Sequence, residues 1–474
     1  MIRGCYPMTH APCPWTPDPG PRGRLVLGGA WSGVGKTTLA TGLMAALRAR
    51  GLAVQPFKVG PDYIDPSYHT LACGRPSRNL DTWMVPPEAA LELFHRACAG
   101  AELAVVEGVM GLFDGHSGLD DTGSTAHVAR LLEAPVVLVL DVGKTCRSAA
   151  AMALGYSRLD PRVKVAGVIL NQIASQKHYQ WTREAVEGET GIPILGYLPK
   201  DAALHIPERH LGLVPTAERG RLEEFVARLR VVIEEHLDVE QVLEVARSAG
   251  PLSVPVPLVF PPEPLPVRAT LAVARDEAFS FYYQDNLDLL EAYGARLVPF
   301  SPLNDAELPR EAGGIYLGGG FPEVYASTLS ANSSMLQSIR EAARRGLPIY
   351  GECGGLMYLS EGITDFEGQR FPMVGLVPRW SVMQRKRVIL GYVEVETPRR
   401  SFLAPAGARM RGHVFHWSEI EPFPPEASAF HTVDPEPRWD GYLKDNILAS
   451  YVHLHFGAAP ELARNLVEAC AGVG

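Results

Sequence analysis

Residues 348–359 read PIYGECGGLMYL, which sets Cys353 two residues after Gly351 and directly before Gly354 and Gly355. An apolar run precedes the cysteine and a helix-forming run follows it. A glycine-flanked nucleophile between a strand and a helix has the pattern of a nucleophile elbow, a strained turn that lifts a reactive side chain above a sheet. The helix N-terminus there favours thiolate over thiol. A merely structural cysteine needs no such setting. A second stretch, residues 25–38, reads LVLGGAWSGVGKTT. It fits the phosphate-loop template, with Ala30 in place of the first glycine and Gly35, Lys36 and Thr37 in register. Glycines such as Gly33 and Gly35 let backbone N–H groups turn onto phosphate oxygens, and the helix beginning at Lys36, Thr37 and Thr38 adds its positive end. Lys36 would reach the terminal phosphates of ATP, and the Thr37 hydroxyl would bind Mg²⁺.

Each motif calls for partners. Mg²⁺ on a triphosphate wants carboxylates. Glu107 closes the apolar run LAVVEG, and Asp62 and Asp65 lie in KVGPDYIDPSYH directly after a second apolar run. The ends of parallel strands face one crevice, so these acids are expected to converge on the phosphate loop. Asp114, in GLFDGHSG, is a fourth candidate. Asn171 and the pair Leu198 and Pro199, at the ends of later runs, are candidates to meet the adenine. The thiolate wants a histidine. NILASYVHLHF offers His453 and His455, which on a strand point the same way, so spacing alone does not separate them. His413 and His416 are weaker candidates in a shorter strand pattern. An oxyanion site is expected from GGIYLGGGFPE, where Gly318, Gly319 and Gly320 can aim N–H groups into a cleft.

The elements that would position these residues alternate. From 24 to about 200, Val/Leu-rich runs of strand length without polar alternation are separated by helical segments. Parallel strands buried on both faces read this way. A helix near 219–248 closes this half. Residues 251–268 are dense in proline and read as a linker. A second α/β pattern begins at Ala269 and turns β-rich after 360. The expected division is a loose tail at 1–22, a P-loop domain at 23–248, a linker at 249–268 and a second domain at 269–474. Both domains are expected to be doubly wound α/β.

Composition narrows the function. The 474 residues are 46% hydrophobic and 20% charged, as in ordinary globular chains, and are enough for two domains. The net charge of −9 speaks against nucleic acid as a partner. Seven cysteines without CxxC spacing read as reduced thiols; Cys5 and Cys13 lie in the tail. No apolar run approaches the roughly 20 residues of a membrane helix, and the start has no apolar signal region. A cytoplasmic enzyme without membrane partners is expected.

Together, KVGPDYIDPSYH, VVEGVMGLFDG, DEAFSFYYQDNLDLLEAYGA, YLGGGFPE, GECGGLMYL and ASYVHLHF, in this order, resemble the cobyrinic acid a,c-diamide synthase family from about residue 24 to the end. The resemblance implies a dethiobiotin-synthetase-like P-loop domain followed by a flavodoxin-like class I glutamine amidotransferase domain. The implied reaction is ATP- and glutamine-dependent amidation of a corrinoid carboxylate in cobalamin synthesis. Cys353 matches the family's nucleophile and His453 its base. Many triad amidotransferases carry a glutamate two residues after that histidine; here the place holds His455. Thr37, Asp62 and Glu107 match the Mg²⁺ ligands, and Asp65 and Asp114 match acids near the activated carboxylate. Lys58, His69, Lys144 and Arg147 are candidates to meet the ring's carboxylates. A path for ammonia between the domains is implied, and a homodimer is left open. Nickel sirohydrochlorin as the substrate, and a partner-regulating P-loop ATPase, are the alternatives. The second is disfavoured because Trp31 stands where MinD- and ParA-type switches carry a lysine.

Overall fold

A computed structural model describes residues 20–204, 219–386, 389–434 and 436–472, with the side chains of 219–221 left aside. The expected tail falls largely outside these residues. The described chain forms two compact units divided between Val256 and Pro257, inside the proline-dense stretch.

In the first unit the apolar runs become β1 (Gly23–Gly29), β2 (Val54–Val59), β3 (Arg78–Leu80), β4 (Leu103–Glu107), β5 (Val136–Asp141), β6 (Val165–Ile173) and β7 (Ile194–Pro199). They pair in parallel in the order β3-β2-β4-β1-β5-β6-β7. Alternate residues of β1 feed two cores: Val26 packs with Val106 and Leu138 on one face, and Leu25 and Leu27 with Val105 and Val139 on the other. Burial on both faces is why the runs lack polar alternation. β3, with only three residues and no apolar run, gave no sequence signal. The helices are α1 (Lys36–Ala49), α2 (Asp65–Cys73), α3 (Pro87–Ala97), α4 (Thr125–Leu131), α5 (Ser148–Leu159), α6 (Gln176–Thr190), α7 (Arg219–His236) and α8 (Val239–Arg247). The single helix expected over 219–248 is two, because the Asp238 side chain accepts from Gln241 N and starts a new helix.

The second unit is built on a six-stranded sheet. Its strands are β8 (Ala269–Ala274), β10 (Ala295–Phe300), β11 (Gly314–Leu317), β13 (Ile349–Glu352) and the segments Ile447–Ser450 and Tyr442–Lys444. All pair in parallel except the last, which is antiparallel. Between these lie β9 (Phe279–Phe281) and β12 (Gly319–Gly320), which pair with each other, and the helices α9 (Gln284–Ala292), α10 (Ala326–Ala331), α11 (Ser333–Arg344) and α12 (Gly354–Leu359). The β-rich stretch after 360 forms a four-stranded and a five-stranded sheet, and the latter ends in the short strand His453–Leu454. No helix among the described residues is long and apolar enough to cross a membrane. The five described cysteines are free.

Candidate functional site

The phosphate loop joins β1 to α1. Gly35 caps α1 at φ 97°, in the left-handed region, and a Cβ there would collide with the Asn171 side-chain amide. Only glycine fits. Asn171 Nδ2 donates to Val34 O at 2.8 Å, and its Oδ1 accepts from Gln172 N at 2.8 Å. The amide proposed for the base edge is thus engaged at both its ends, by the loop at Val34 and by its own strand at Gln172. Pro199 ends β7 half-buried, with Leu198 buried beside it, and the Thr38 hydroxyl donates to Leu204 O at 3.4 Å. Lys36 folds back along the loop, its Nζ donating to Trp31 O at 3.2 Å and Met110 O at 2.5 Å.

Below Lys36 lies a charge cluster set by strand register. Lys58 on β2 stands opposite Glu107 on β4. Lys58 Nζ lies 2.8 Å from Glu107 Oε1 and 2.5 Å from Asp65 Oδ2. Thr37 Oγ1 donates to Glu107 Oε1 at 2.7 Å and reaches Asp65 Oδ2 at 3.2 Å. His69 Nε2 holds the other Glu107 oxygen at 2.6 Å. Lys58 and His69, expected to face the ring, turn inward instead, because unpaired carboxylates could not be buried here. Asp62 stands at the edge: its Oδ1 caps Ile64 N and Asp65 N, and its Oδ2 is 4.0 Å from Lys58. The acid beside Thr37 and Glu107 is therefore Asp65, whereas the sequence reading put Asp62 there. Asp114 is exposed and accepts from Gly111 N at 3.1 Å.

Burial pushes Glu107 up, but Lys58 and His69 outweigh it and hold the carboxyl well below the usual range. Burial would strip Lys58 of its proton, and Asp65 and Glu107 reverse that. Burial, with Asp62 and Glu107 nearby, pushes Asp65 up despite Lys58. Lys36 is pushed down to about 8 by burial and by Lys58. Hydroxyl and carboxylate oxygens suit Mg²⁺. Among the described residues, no group of three or more His, Cys, Asp or Glu side chains is placed to hold a metal alone. Mg²⁺ commonly takes one or two protein oxygens and completes its shell with phosphates and water, so the set fits an ion that arrives with a nucleotide.

In the second unit Cys353 sits between β13 and α12 with φ 49° and ψ −101°. A non-glycine residue held there stores about 1–3 kcal/mol of strain, as an elbow requires. Cys353 N donates to Ser450 O at 2.7 Å, and the side chain is covered, at 6% exposure. Four histidines were candidates for its base. Burial pushes His413 down to about 3, His416 to about 4 and His455 to about 3, leaving each neutral. Burial acts on His453 too, but the nearby Cys353 thiol and the Glu352 carboxylate, 3.7 Å from Nδ1, overcome it and raise the imidazolium to about 9. The short strand ends at Leu454, and the two histidines meet different partners. His455 turns to Asp285, Nε2 to Oδ2 3.9 Å, and its Nδ1 accepts from Gly457 N at 3.1 Å. The glycine turn comes up against the site. A Cβ on Gly319 would lie 2.6 Å from His453 Cε1, and Gly320 N lies 3.0 Å from where a Cβ on Gly354 would stand. Gly318 N is occupied, donating to Tyr282 OH at 2.9 Å.

The sequence reading missed Glu352 and took Lys58 and His69 for outward-facing groups. A lysine inside the apolar run VQPFKV was the available signal for a buried charge cluster. Lys144 and Arg147 are exposed, and Arg147 pairs with Glu189 at 2.9 Å.

Known proteins resemble nearly the whole chain. Residues 25–214 match the family described as CobQ/CobB/MinD/ParA nucleotide binding domain, and residues 270–461 match the CobB/CobQ-like glutamine amidotransferase domain. A protein of Dehalococcoides mccartyi named cobyrinate a,c-diamide synthase is 48% identical, over 95% of this chain and 98% of its own length. A protein of the same name from Priestia megaterium is 43% identical over 94% of this chain and 97% of its own. A hydrogenobyrinate a,c-diamide synthase of Streptomyces coelicolor is 45% identical over 94% and 97%.

Proposed function

The chain belongs to the cobyrinate a,c-diamide synthase family, and from that premise we propose how its two units divide the reaction. The enzyme amidates the a and c carboxylates of cobyrinic or hydrogenobyrinic acid, with ATP as energy source and glutamine as nitrogen donor. A carboxylate does not react with ammonia, because oxide is a poor leaving group. In the first unit a ring carboxylate oxygen attacks the γ-phosphorus of ATP. The new O–P bond forms as the bond to ADP breaks, giving an acyl phosphate. Lys36 and the loop N–H groups hold the phosphates, with Pro199 bordering the base and Asn171 bracing the loop at Val34. Thr37 and Glu107, with Asp62 or Asp65, would hold the nucleotide's Mg²⁺, which neutralises phosphate charge. Asp65 and Asp114 border the reacting carboxylate.

In the second unit Cys353 Sγ attacks the glutamine amide carbon, and the Gly319–Gly320 backbone steadies the oxyanion. The His453 imidazolium gives its proton to the departing nitrogen, and the C–N bond breaks to release ammonia and a thioester. His453 then takes a proton from water, whose oxygen displaces the thiolate as glutamate leaves. Ammonia displaces phosphate from the acyl phosphate to give the amide. The reading places the enzyme in the cytoplasm, where ATP, Mg²⁺ and reduced thiols are found.

One observation carries the glutaminase half: of the four candidate histidines, His453 is the one set against Gly319 and 3.7 Å from the Glu352 carboxylate, and Cys353 and Glu352 raise its imidazolium to about 9. The test is amide formation on cobyrinic acid, hydrogenobyrinic acid and nickel sirohydrochlorin, followed by mass spectrometry. Two amides on a corrinoid are expected, and Cys353→Ala is expected to need supplied ammonia. Amides only on the nickel compound would refute the substrate assignment.

A further inference from the structure

We propose that Glu352, the residue directly before the nucleophile, orients His453 and completes the glutaminase group. The inference rests on the Cys353–His453 reading above. Glu352 Oε2 lies 3.7 Å from His453 Nδ1, and both side chains are 2% exposed. The carboxylate is fixed from three further directions: Tyr350 OH donates to Oε1 at 2.6 Å, Tyr316 OH to Oε2 at 3.0 Å, and Leu454 N to Oε1 at 3.3 Å. Burial keeps both phenols protonated, so they act as donors. A carboxylate held this way has one free direction of use, toward the imidazole.

Neighbouring residues on a straight strand point to opposite faces, so Glu352 and Cys353 should not serve the same ring. The elbow removes that obstacle. Glu352 keeps the face of Tyr350, two residues earlier on β13, while φ 49° and ψ −101° at Cys353 swing the thiol round. One histidine then meets both. With its Nδ1 turned to the Glu352 carboxylate across 3.7 Å, within ion-pair reach, His453 leaves Nε2 to exchange a proton with the thiol. His455, at the place where many triad amidotransferases carry glutamate, cannot do this: it is a neutral imidazole whose Nδ1 already accepts from Gly457 N. The ionisable groups facing His453 are Glu352 and Cys353 from β13 and its elbow, and His413 and His416 from the neighbouring strand Arg409–His416. Among these groups of the described residues, Glu352 brings the carboxylate.

The test is glutaminase kinetics of the full chain with ATP and cobyrinic acid present. Glu352→Gln keeps the shape but offers an N–H to Nδ1, which favours the wrong tautomer. We expect kcat to fall on the order of 10²-fold, with KM for glutamine within about 3-fold. The alkaline limb of the pH profile, expected near pH 9 in the wild type, should move to lower pH. Glu352→Asp keeps the charge and should restore part of kcat and return the limb. Circular dichroism and the melting midpoint of the full chain report that each variant is folded; if Glu352→Gln does not fold, the limb in Glu352→Asp decides. Glu352→Gln within about 3-fold of the wild type in kcat would overturn the proposal, as would equal losses in both variants with the limb unmoved. Cys353→Ala runs alongside: glutaminase activity surviving there would sink the underlying reading instead.

Discussion

Replacing Lys58 by Met tests whether the phosphate-loop unit is held together around one buried ammonium. Lys58 Nζ sits 2.5 Å from Asp65, 2.8 Å from Glu107 and 3.3 Å from Gly108 O. Its side chain is 5% exposed and that of Glu107 not at all. Methionine keeps a stem of similar length and removes the charge, so packing changes little and Glu107 loses its main counter-charge. Removing one partner of a buried pair costs about 3–5 kcal/mol. Two features bring the cost to the lower end. His69 and Thr37 still donate to Glu107, and Asp65, already pushed up by burial, can take a proton. The expected loss is about 3 kcal/mol near pH 7, or about 6–12 °C in the unfolding midpoint of a unit this size. Calorimetry on the full chain measures it, and ATP identifies the relevant transition by raising it.

The pH dependence sharpens that test. In the wild type Glu107 is held low. Its contribution is present above the unfolded value near ~4.3 and is lost as pH falls through the folded one. In the variant, burial without Lys58 raises Glu107, so stability falls as pH rises past ~4.3. The gap between the two proteins should widen from about pH 4 to pH 7. Glu107→Gln added to Lys58→Met should recover about 2 kcal/mol by removing the stranded charge. A single variant within about 1 kcal/mol of wild type, a gap that does not change with pH, or no recovery in the double variant would each refute the reasoning.

Gly319→Ala places a methyl 2.6 Å from His453 Cε1 and 3.2 Å from Phe281 Cβ. Glutamine-driven amidation should fall on the order of 10²-fold while ammonia-driven amidation and the melting midpoint hold; a lowered midpoint would mean misfolding instead. Lys36, pushed down to about 8 when free, should regain its proton beside phosphate. ATP binding just above pH 8 should then take up protons, seen by calorimetry in buffers of different ionisation enthalpy, and Lys36→Met should abolish the uptake. His455→Glu should not rescue Glu352→Gln, because the new carboxylate would lie beside Asp285, itself 3.9 Å from His455 Nε2; the double variant should stay inactive with glutamine and melt lower than the single.

The strands of the first unit were legible because burial on both faces leaves unbroken Val/Leu runs, and the two glycine motifs because few residue types tolerate φ near 97° or 49°. What escaped was placement across strands. Nothing local in VQPFKV says that Lys58 will stand opposite Glu107, since that pairing depends on the order β2-β4-β1. The resemblance put Asp62, not Asp65, beside Thr37 and Glu107; the turn that makes Asp62 a cap for Ile64 N and Asp65 N leaves it 4.0 Å from Lys58 and brings Asp65 to 2.5 Å. His453 and His455 looked equivalent on an assumed strand that in fact ends between them.

Glu352 was hidden for a related reason. A charged residue next to a nucleophile on a strand is expected to point away from it, and alternation argues against a shared partner. The strained elbow defeats that rule, and it defeats it only there. Cys353 therefore does two jobs with one unfavourable backbone conformation: it aims the thiol at His453, and it lets the preceding carboxylate reach the far side of the same ring. That arrangement releases the position two residues after the histidine from supplying an acid. His455 fills it as a neutral group that ties the turn at Gly457 and lies tilted against the Tyr283 ring, centroids 4.7 Å apart. Glutamate there would add a second buried carboxylate near Asp285, which is 2% exposed, a like-charge pairing that burial makes costly. The acid before the cysteine and the histidine after the base thus form one arrangement, and changing either alone should cost more than the kept partner can recover.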